Sequence, residues 1–368
     1  MNTRRVLPLA VLTALLASAG CELPPVDSEN IGPRGLSMGT VENPSVTRPD
    51  SIAYVEAYPA DPDPIPGDLP AAPAGTFENV QVLGNLSVAE FNRSMVAMTN
   101  WVSPEQGCNY CHVVQEDGSV IMAADDVYTK VVSRRMIQMT KYINEEWSSH
   151  VGEEGVNCYT CHVGQPQPEY VWTLDPHEPN LRYYLDREDV RVQSQAALTG
   201  DAEVETSIQN ARNTYWFMIH TSNALGVNCT YCHASARFSD WEESPPARVT
   251  ALRGYRMVRD INQQFVAPLG SILPDSVQGP EGDGPKVQCM TCHQGVNIPA
   301  YGLARATLYP ALTLPEAVHP AATEEAAADI DMDALNELFM ETHQGMAAHP
   351  EAGTAGETHL PDVAGGSR

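Results

Sequence analysis

The stretch GVNCYTCH at residues 155–162 returns almost letter for letter as GVNCTYCH at residues 226–233. Each copy ends in Cys-x-x-Cys-His, and two more copies of that pattern stand in CNYCH at residues 108–112 and CMTCH at residues 289–293. Two cysteines three apart on a turn can form thioethers with the two vinyl groups of a haem, and the adjacent histidine then reaches the iron from one face. A single copy would also fit a zinc half-site or a redox pair. Four copies, using every one of the nine cysteines except Cys21, leave little room for either. The expectation is four covalently bound haem c groups, held through Cys108, Cys111, Cys158, Cys161, Cys229, Cys232, Cys289 and Cys292. His112, His162, His233 and His293 are then the proximal ligands.

Working outward, RMIQMTKYIN at residues 135–144 is echoed by RMVRDIN at residues 256–262. The repeated unit is therefore a helix, a turn containing glycine, then the cysteine motif. Ser87 and Glu90 form a capping-box pair at the start of the first helix, and Pro104 must end it. Further helices are predicted over about 125–144, 202–224 and 247–265, and no strand pairs are evident. The fold class is mainly α with much irregular backbone: a multihaem cytochrome c of helix-turn-motif units in two pseudo-symmetric halves. Residues 77–200 would carry haems 1 and 2, and residues 201–319 haems 3 and 4. Four apolar porphyrin plates supply burial that a 7% aromatic content does not, so the body should unfold without them.

Both ends differ from this body. Residues 1–20 join a basic MNTRR to the apolar VLPLAVLTALLASAG, the pattern of a secretory signal rather than of a spanning helix. The signal stops at Cys21, where small residues precede a cysteine as in a lipoprotein cleavage box; the plainer alternative is ordinary signal cleavage nearby. A lipidated Cys21 would hold the exported chain at a bilayer surface. Residues 21–76, rich in proline and glycine, lack a sustained helical or strand period and read as a lipid-anchored arm. Residues 320–368 read as an acidic, alanine-rich tail. The formal charge of −26 excludes nucleic acid as a partner and favours a basic one.

The distal faces of the four irons decide between electron storage and ligand chemistry. Met95 and Met98 share a helical face ahead of His112, Met136 and Met139 share one ahead of His162, and Met218 precedes His233. Methionine on a helix is ordinarily core filler, but three helices that each place one ahead of a haem motif point to iron ligation. The fourth site stays open on the residues alone: Met257 by internal symmetry with Met136, or His150, or His220. Since His220 lies about 200 degrees around the helix from Met218, the two cannot face one haem. His177, His319, His343, His349 and His359 fall in polar or proline-rich stretches and read as exposed.

From about Leu86 to Ala300, the order of helices and motifs, together with SPPARVTALRGYRMVRDIN after the third motif, resembles the tetrahaem cytochrome subunits bound to photosynthetic reaction centres. The resemblance implies Met95, Met136 and Met218 as distal ligands of haems 1, 2 and 3, and His150 as the distal ligand of haem 4. It implies a wire in which haem 3 lies nearest the bacteriochlorophyll pair, followed by haems 4, 2 and 1. Arg248 corresponds to an arginine near haem 3. The implied role is not enzymatic: electrons from a small soluble cytochrome c or a high-potential iron-sulfur protein re-reduce the photo-oxidised pair. The implied location is the periplasmic face of the photosynthetic membrane, against the L and M subunits. Imidazole on both faces of haem 4 should make it a low-potential step, because thioether sulfur raises potential and a second imidazole lowers it. Two other readings compete. A multihaem carrier feeding a terminal reductase would purify apart from bacteriochlorophyll, and a nitrite or peroxide reductase would need an open iron.

Overall fold

The computed structural model describes residues 27–31, 37–42, 44–175 apart from 62, 64, 67 and 68, then 181, 185 and 208–313. Cys21, the five histidines read as exposed, and the tail beyond residue 320 lie outside the described residues. The chain is mainly helical with long irregular connections. Strands β1 (Asp27–Ile31) and β2 (Ser37–Glu42) pair antiparallel ahead of helix α1 (Pro44–Ala57). Helices α2 (Val88–Val102), α3 (Tyr128–Glu146), α6 (Ile208–Leu225) and α7 (Ala247–Ile261) follow close to their predicted positions. Between α3 and α6 the described residues include the short helices α4 (Ser148–Val151) and α5 (Cys158–His162), and α7 is followed by α8 (Cys289–His293) and α9 (Pro310–Thr313).

Local chemistry sets these boundaries. Ser87 Oγ accepts from the Glu90 amide at 3.2 Å, satisfying a donor that the first turn of α2 would leave unpaired. The helix stops at Ser103, just before Pro104, as the proline requires. Helix α7 runs into a π turn at Asn262–Val266, whose Asn262 clips the chain ahead of α8 by bonding both the amide and the carbonyl of Val287 at 2.8 Å.

Two readings need correction. Strand pairs do occur: besides β1 and β2, Val113–Val114 (β3) and Val120–Ile121 (β4) form a small hairpin directly after the first motif. Its turn is made by Gly118 at φ 83° and by Asp117, which accepts from the Ser119 amide and hydroxyl. Strands of two residues are too short to show an alternation in sequence. The arm is also more regular than its composition implied. Pro49 interrupts the helical pattern of α1, yet Tyr54 and Tyr58, four apart on one face, pack edge-on against Tyr159 with ring centroids at 6.0 and 4.7 Å. Strand β2 lies alongside the third motif at Cys229–Tyr231. Part of the arm is thus bound to the body by aromatic packing.

Among the described residues the buried apolar side chains form three clusters. The largest joins α3, α6 and α7 through Tyr142, Trp147, Phe217, Tyr255, Ile261 and Phe265. A second gathers Val82, Leu83, Leu86, Ile137 and Ala311, and a third Ala97, Trp101, Tyr159, Tyr309 and Leu312. Cys158 packs against the third cluster, and Cys289 belongs to the first.

Candidate haem sites

The four motifs adopt two local forms that alternate along the chain. The first and third fold as 3-10 turns, Gly107–Tyr110 and Cys229–Tyr231, and the second and fourth as the helices α5 and α8. In the helical pair a threonine between the cysteines bonds back to the residue before the motif: the Asn157 amide donates to Thr160 Oγ1 at 3.1 Å, and the Gln288 amide to Thr291 Oγ1 at 3.0 Å. Immediately after each histidine of that pair, Val163 and Gln294 take left-handed conformations, φ 47° and 51°, so the chain turns back on the imidazole.

That turn has a chemical result. His162 Nδ1 lies 2.9 Å from the Gln165 carbonyl and His293 Nδ1 3.0 Å from the Val296 carbonyl. In the other two motifs the acceptor is further along the chain, Met122 for His112 at 3.1 Å and Phe238 for His233 at 2.7 Å. A carbonyl only accepts, so each Nδ1 carries the proton and each Nε2 presents its lone pair, the tautomer an iron ligand needs. Burial lowers the pKa of all four rings; that of His293 falls to about 4 by burial and then by the neighbouring His150. The Cys158 and Cys289 thiols are pushed up to about 12 by burial, so they stay neutral in apolar surroundings.

His150, at the end of α4, shows the same signature. Its Nδ1 donates to the Thr250 carbonyl at 2.9 Å, and its ring stands against that of His293 with centroids 6.2 Å apart and planes at 69°. Two imidazole–metal bonds of about 2 Å, with about 1.1 Å from each Nε2 to its ring centre, span about 6 Å. The residues therefore fit a group bound between these two rings. Of the candidates for the fourth site, Met257 is buried in the largest cluster, and His220 stacks on Trp216 at 5.4 Å. His150 is the one whose ring faces His293.

The methionines are placed less selectively. Met95 and Met98 both pack against the second cluster, while Met98 also reaches the third. Met136, Met139 and Met218 all belong to or border the largest cluster. Arg248 donates to the carbonyls of Ser239 and Asp240 and to Ser244 Oγ, and its guanidinium lies 3.8 Å from the centroid of Trp241. Burial brings its pKa down to about 10, which leaves it cationic at neutral pH beside His233.

Several participants were missed in the sequence. Gly254 sits mid-helix in α7, where a Cβ would stand 2.6 Å from His150 Cε1, so only glycine lets the ring lie flat against the helix. Gly226 meets the backbone of Gly295, where a Cβ would be 1.9 Å from the carbonyl oxygen. An isolated glycine inside ARVTALRGYRMVRDI was the available signal for the first. Cys161 Sγ and Cys292 Sγ, from the second and fourth motifs, stand 2.6 Å apart, a proximity that no spacing rule reveals.

The family model for the photosynthetic reaction centre cytochrome c subunit matches residues 22–182 and 175–313. The chain belongs to this family. It is 40% identical to the photosynthetic reaction center cytochrome c subunit of Thermochromatium tepidum over 348 residues, covering 88% of this chain and 82% of that protein. Against the subunit of the same name from Rubrivivax gelatinosus it is 40% identical over 344 residues, covering 86% and 91%. A shorter likeness, 31% over 106 residues, links it to cytochrome c-554 of Chloroflexus aurantiacus. Like its family, this chain is an electron-transfer subunit of a reaction centre rather than an enzyme, and it carries covalent haem c. No described helix is long and apolar enough to cross a membrane.

Proposed function

We propose that the chain is a tetrahaem wire on the periplasmic face of the photosynthetic membrane, docked on the L and M subunits. Electrons from a small soluble cytochrome c or a high-potential iron-sulfur protein would enter it and leave beside haem 3 towards the oxidised bacteriochlorophyll pair. The eight motif cysteines would hold four haems, with His112, His162, His233 and His293 proximal and Met95, Met136, Met218 and His150 distal. Bound haem iron supplies the reversible one-electron change. The chain's own residues keep each Nε2 unprotonated and fix the spacing between sites.

The observation that carries this reading is the joining of the second and fourth motifs. His150, twelve residues before His162, faces His293 at 6.2 Å, and Cys161 touches Cys292. One short segment therefore serves two sites, which supports placing haems 2 and 4 next to each other in the wire. The alternating motif forms support the two-halves reading, and the cationic Arg248 beside His233 supports its place near haem 3. Lipidation of Cys21 fits a family match that begins at residue 22. The acidic tail beyond residue 320 lies outside that match, which ends at residue 313.

A flash-induced difference spectrum on native membranes tests the proposal. The expected result is fast oxidation of haem absorbing near the α band, with four haems titrating in redox-poised membranes. Membranes in which a flash oxidises none of this protein's haem would overturn it in favour of a carrier feeding a terminal reductase.

A further inference from the structure

All four proximal imidazoles donate through Nδ1 to a backbone carbonyl, but the acceptors differ in their other partners. At the second, third and fourth sites the carbonyls belong to Gln165, Phe238 and Val296. At the first, the Met122 carbonyl that receives His112 at 3.1 Å also receives the ammonium of Lys130 at 2.7 Å. Among the described residues it is the one acceptor of the four that takes a charged donor as well. Lys130 is only 7% exposed, and its remaining contacts are the Ala124 carbonyl at 2.8 Å and Asp125 Oδ1 at 3.3 Å. An ammonium has three N–H groups, so all its donors are used and the contact with Met122 is held in place.

We infer that Lys130 is a positioning residue that raises the reduction potential of the first haem by competing with His112 for the Met122 carbonyl. The inference rests on His112 being an iron ligand. A histidine whose Nδ1–H is strongly accepted becomes a better electron donor and favours ferric iron; an acceptor already engaged by a cation accepts less and favours ferrous iron. His112 has the longest of the four Nδ1 contacts, as this competition requires. The charge acts in the same direction. Asp125 pairs with both Lys130 and Arg134, the latter at 2.8 Å, and the Arg134 contact holds its carboxyl well below the usual carboxylate range. One carboxylate between two cations leaves a net positive charge behind the first site, which disfavours the more positive ferric state.

The test is a redox titration of the four haems in the intact subunit, with Lys130→Met and Asp125→Asn. Lys130→Met keeps the aliphatic stem and removes the ammonium. One haem should become about tenfold more oxidised at fixed ambient potential, equivalent to about 59 mV, while three stay in place. Asp125→Asn should move the same haem the opposite way, because it removes the compensating anion and keeps Lys130. If Lys130→Met fails to take up four haems, the Asp125→Asn shift alone decides. Unchanged potentials, shifts of the same sign in both variants, or a shift at another haem would overturn the inference. A His112→Met control separates the two failures. If it leaves all four potentials unchanged, the ligand assignment is at fault; if it moves a haem that Lys130→Met does not, only the role of Lys130 fails.

Discussion

Replacing Gly254 with alanine should disconnect haem ligation from stability. In an exposed helix the exchange would gain about 1 kcal/mol, since glycine is the poorer helix former. Here the new Cβ would lie 2.6 Å from His150 Cε1, 3.0 Å from Nε2 and 3.2 Å from Nδ1. Ordinary carbon contacts are about 3.5–4.0 Å, so the ring must move by about 1 Å. That is half of an imidazole–metal bond of about 2 Å, and it also breaks the hydrogen bond to the Thr250 carbonyl, a loss of about 1 kcal/mol. Helix gain and lost hydrogen bond nearly cancel, so thermal stability should hardly change. The face of the fourth haem opposite His293 should nevertheless open. Ferrous protein at neutral pH should then bind carbon monoxide at one haem in four, and the potential of that haem should rise. Gly84→Ala is the control, because nothing lies within 4 Å of its added methyl. If Gly254→Ala keeps four unchanged potentials and refuses carbon monoxide, the ring against α7 is not a ligand and the reasoning fails.

Three other outcomes are expected. His150→Met should raise a single potential and leave three nearly unchanged; a shift of the haem held by Cys158 and Cys161 instead would reassign the histidine. Asn157 is buried, its side chain accepting from the Thr160 amide and donating to Tyr58 Oη at 2.7 Å and the Ala304 carbonyl at 2.9 Å. Asn157→Ala should therefore cost about 3 kcal/mol, one contact at a time, and lower the thermal midpoint of the fully loaded protein. Arg248→Met removes a cation beside His233, so it should lower the potential of the third haem; equal potentials in variant and parent would show that the charge is screened there.

The motif cysteines, their histidines and the candidate distal ligands were legible in the chain as a string. Cys-x-x-Cys-His is a local motif, since its two sulfurs and its imidazole share one turn, and a turn is legible without knowing the fold. Helices α2, α3, α6 and α7 were legible for a similar reason: Ser87 caps, Pro104 stops, and apolar residues recur at helical spacing. For the fourth site the residues alone left three candidates open and the family resemblance implied His150; the tertiary structure adds the facing rings of His150 and His293. His150 and His293 are far apart in sequence, and internal symmetry pointed to Met257, which the fold buries among Phe265 and its neighbours. Only the packing of α4 on α7, made possible by Gly254, turns the ring of His150 towards His293. The same holds for Lys130, which as a letter on a helix is a solvated charge. A two-residue hairpin, invisible to periodicity, folds the Met122 carbonyl over it. Sequence determined which groups could bind a haem, because that depends on residues a few positions apart. The structure decided which candidate ring faces His293 and which charges lie behind the first motif, because those depend on segments that meet only when the chain folds.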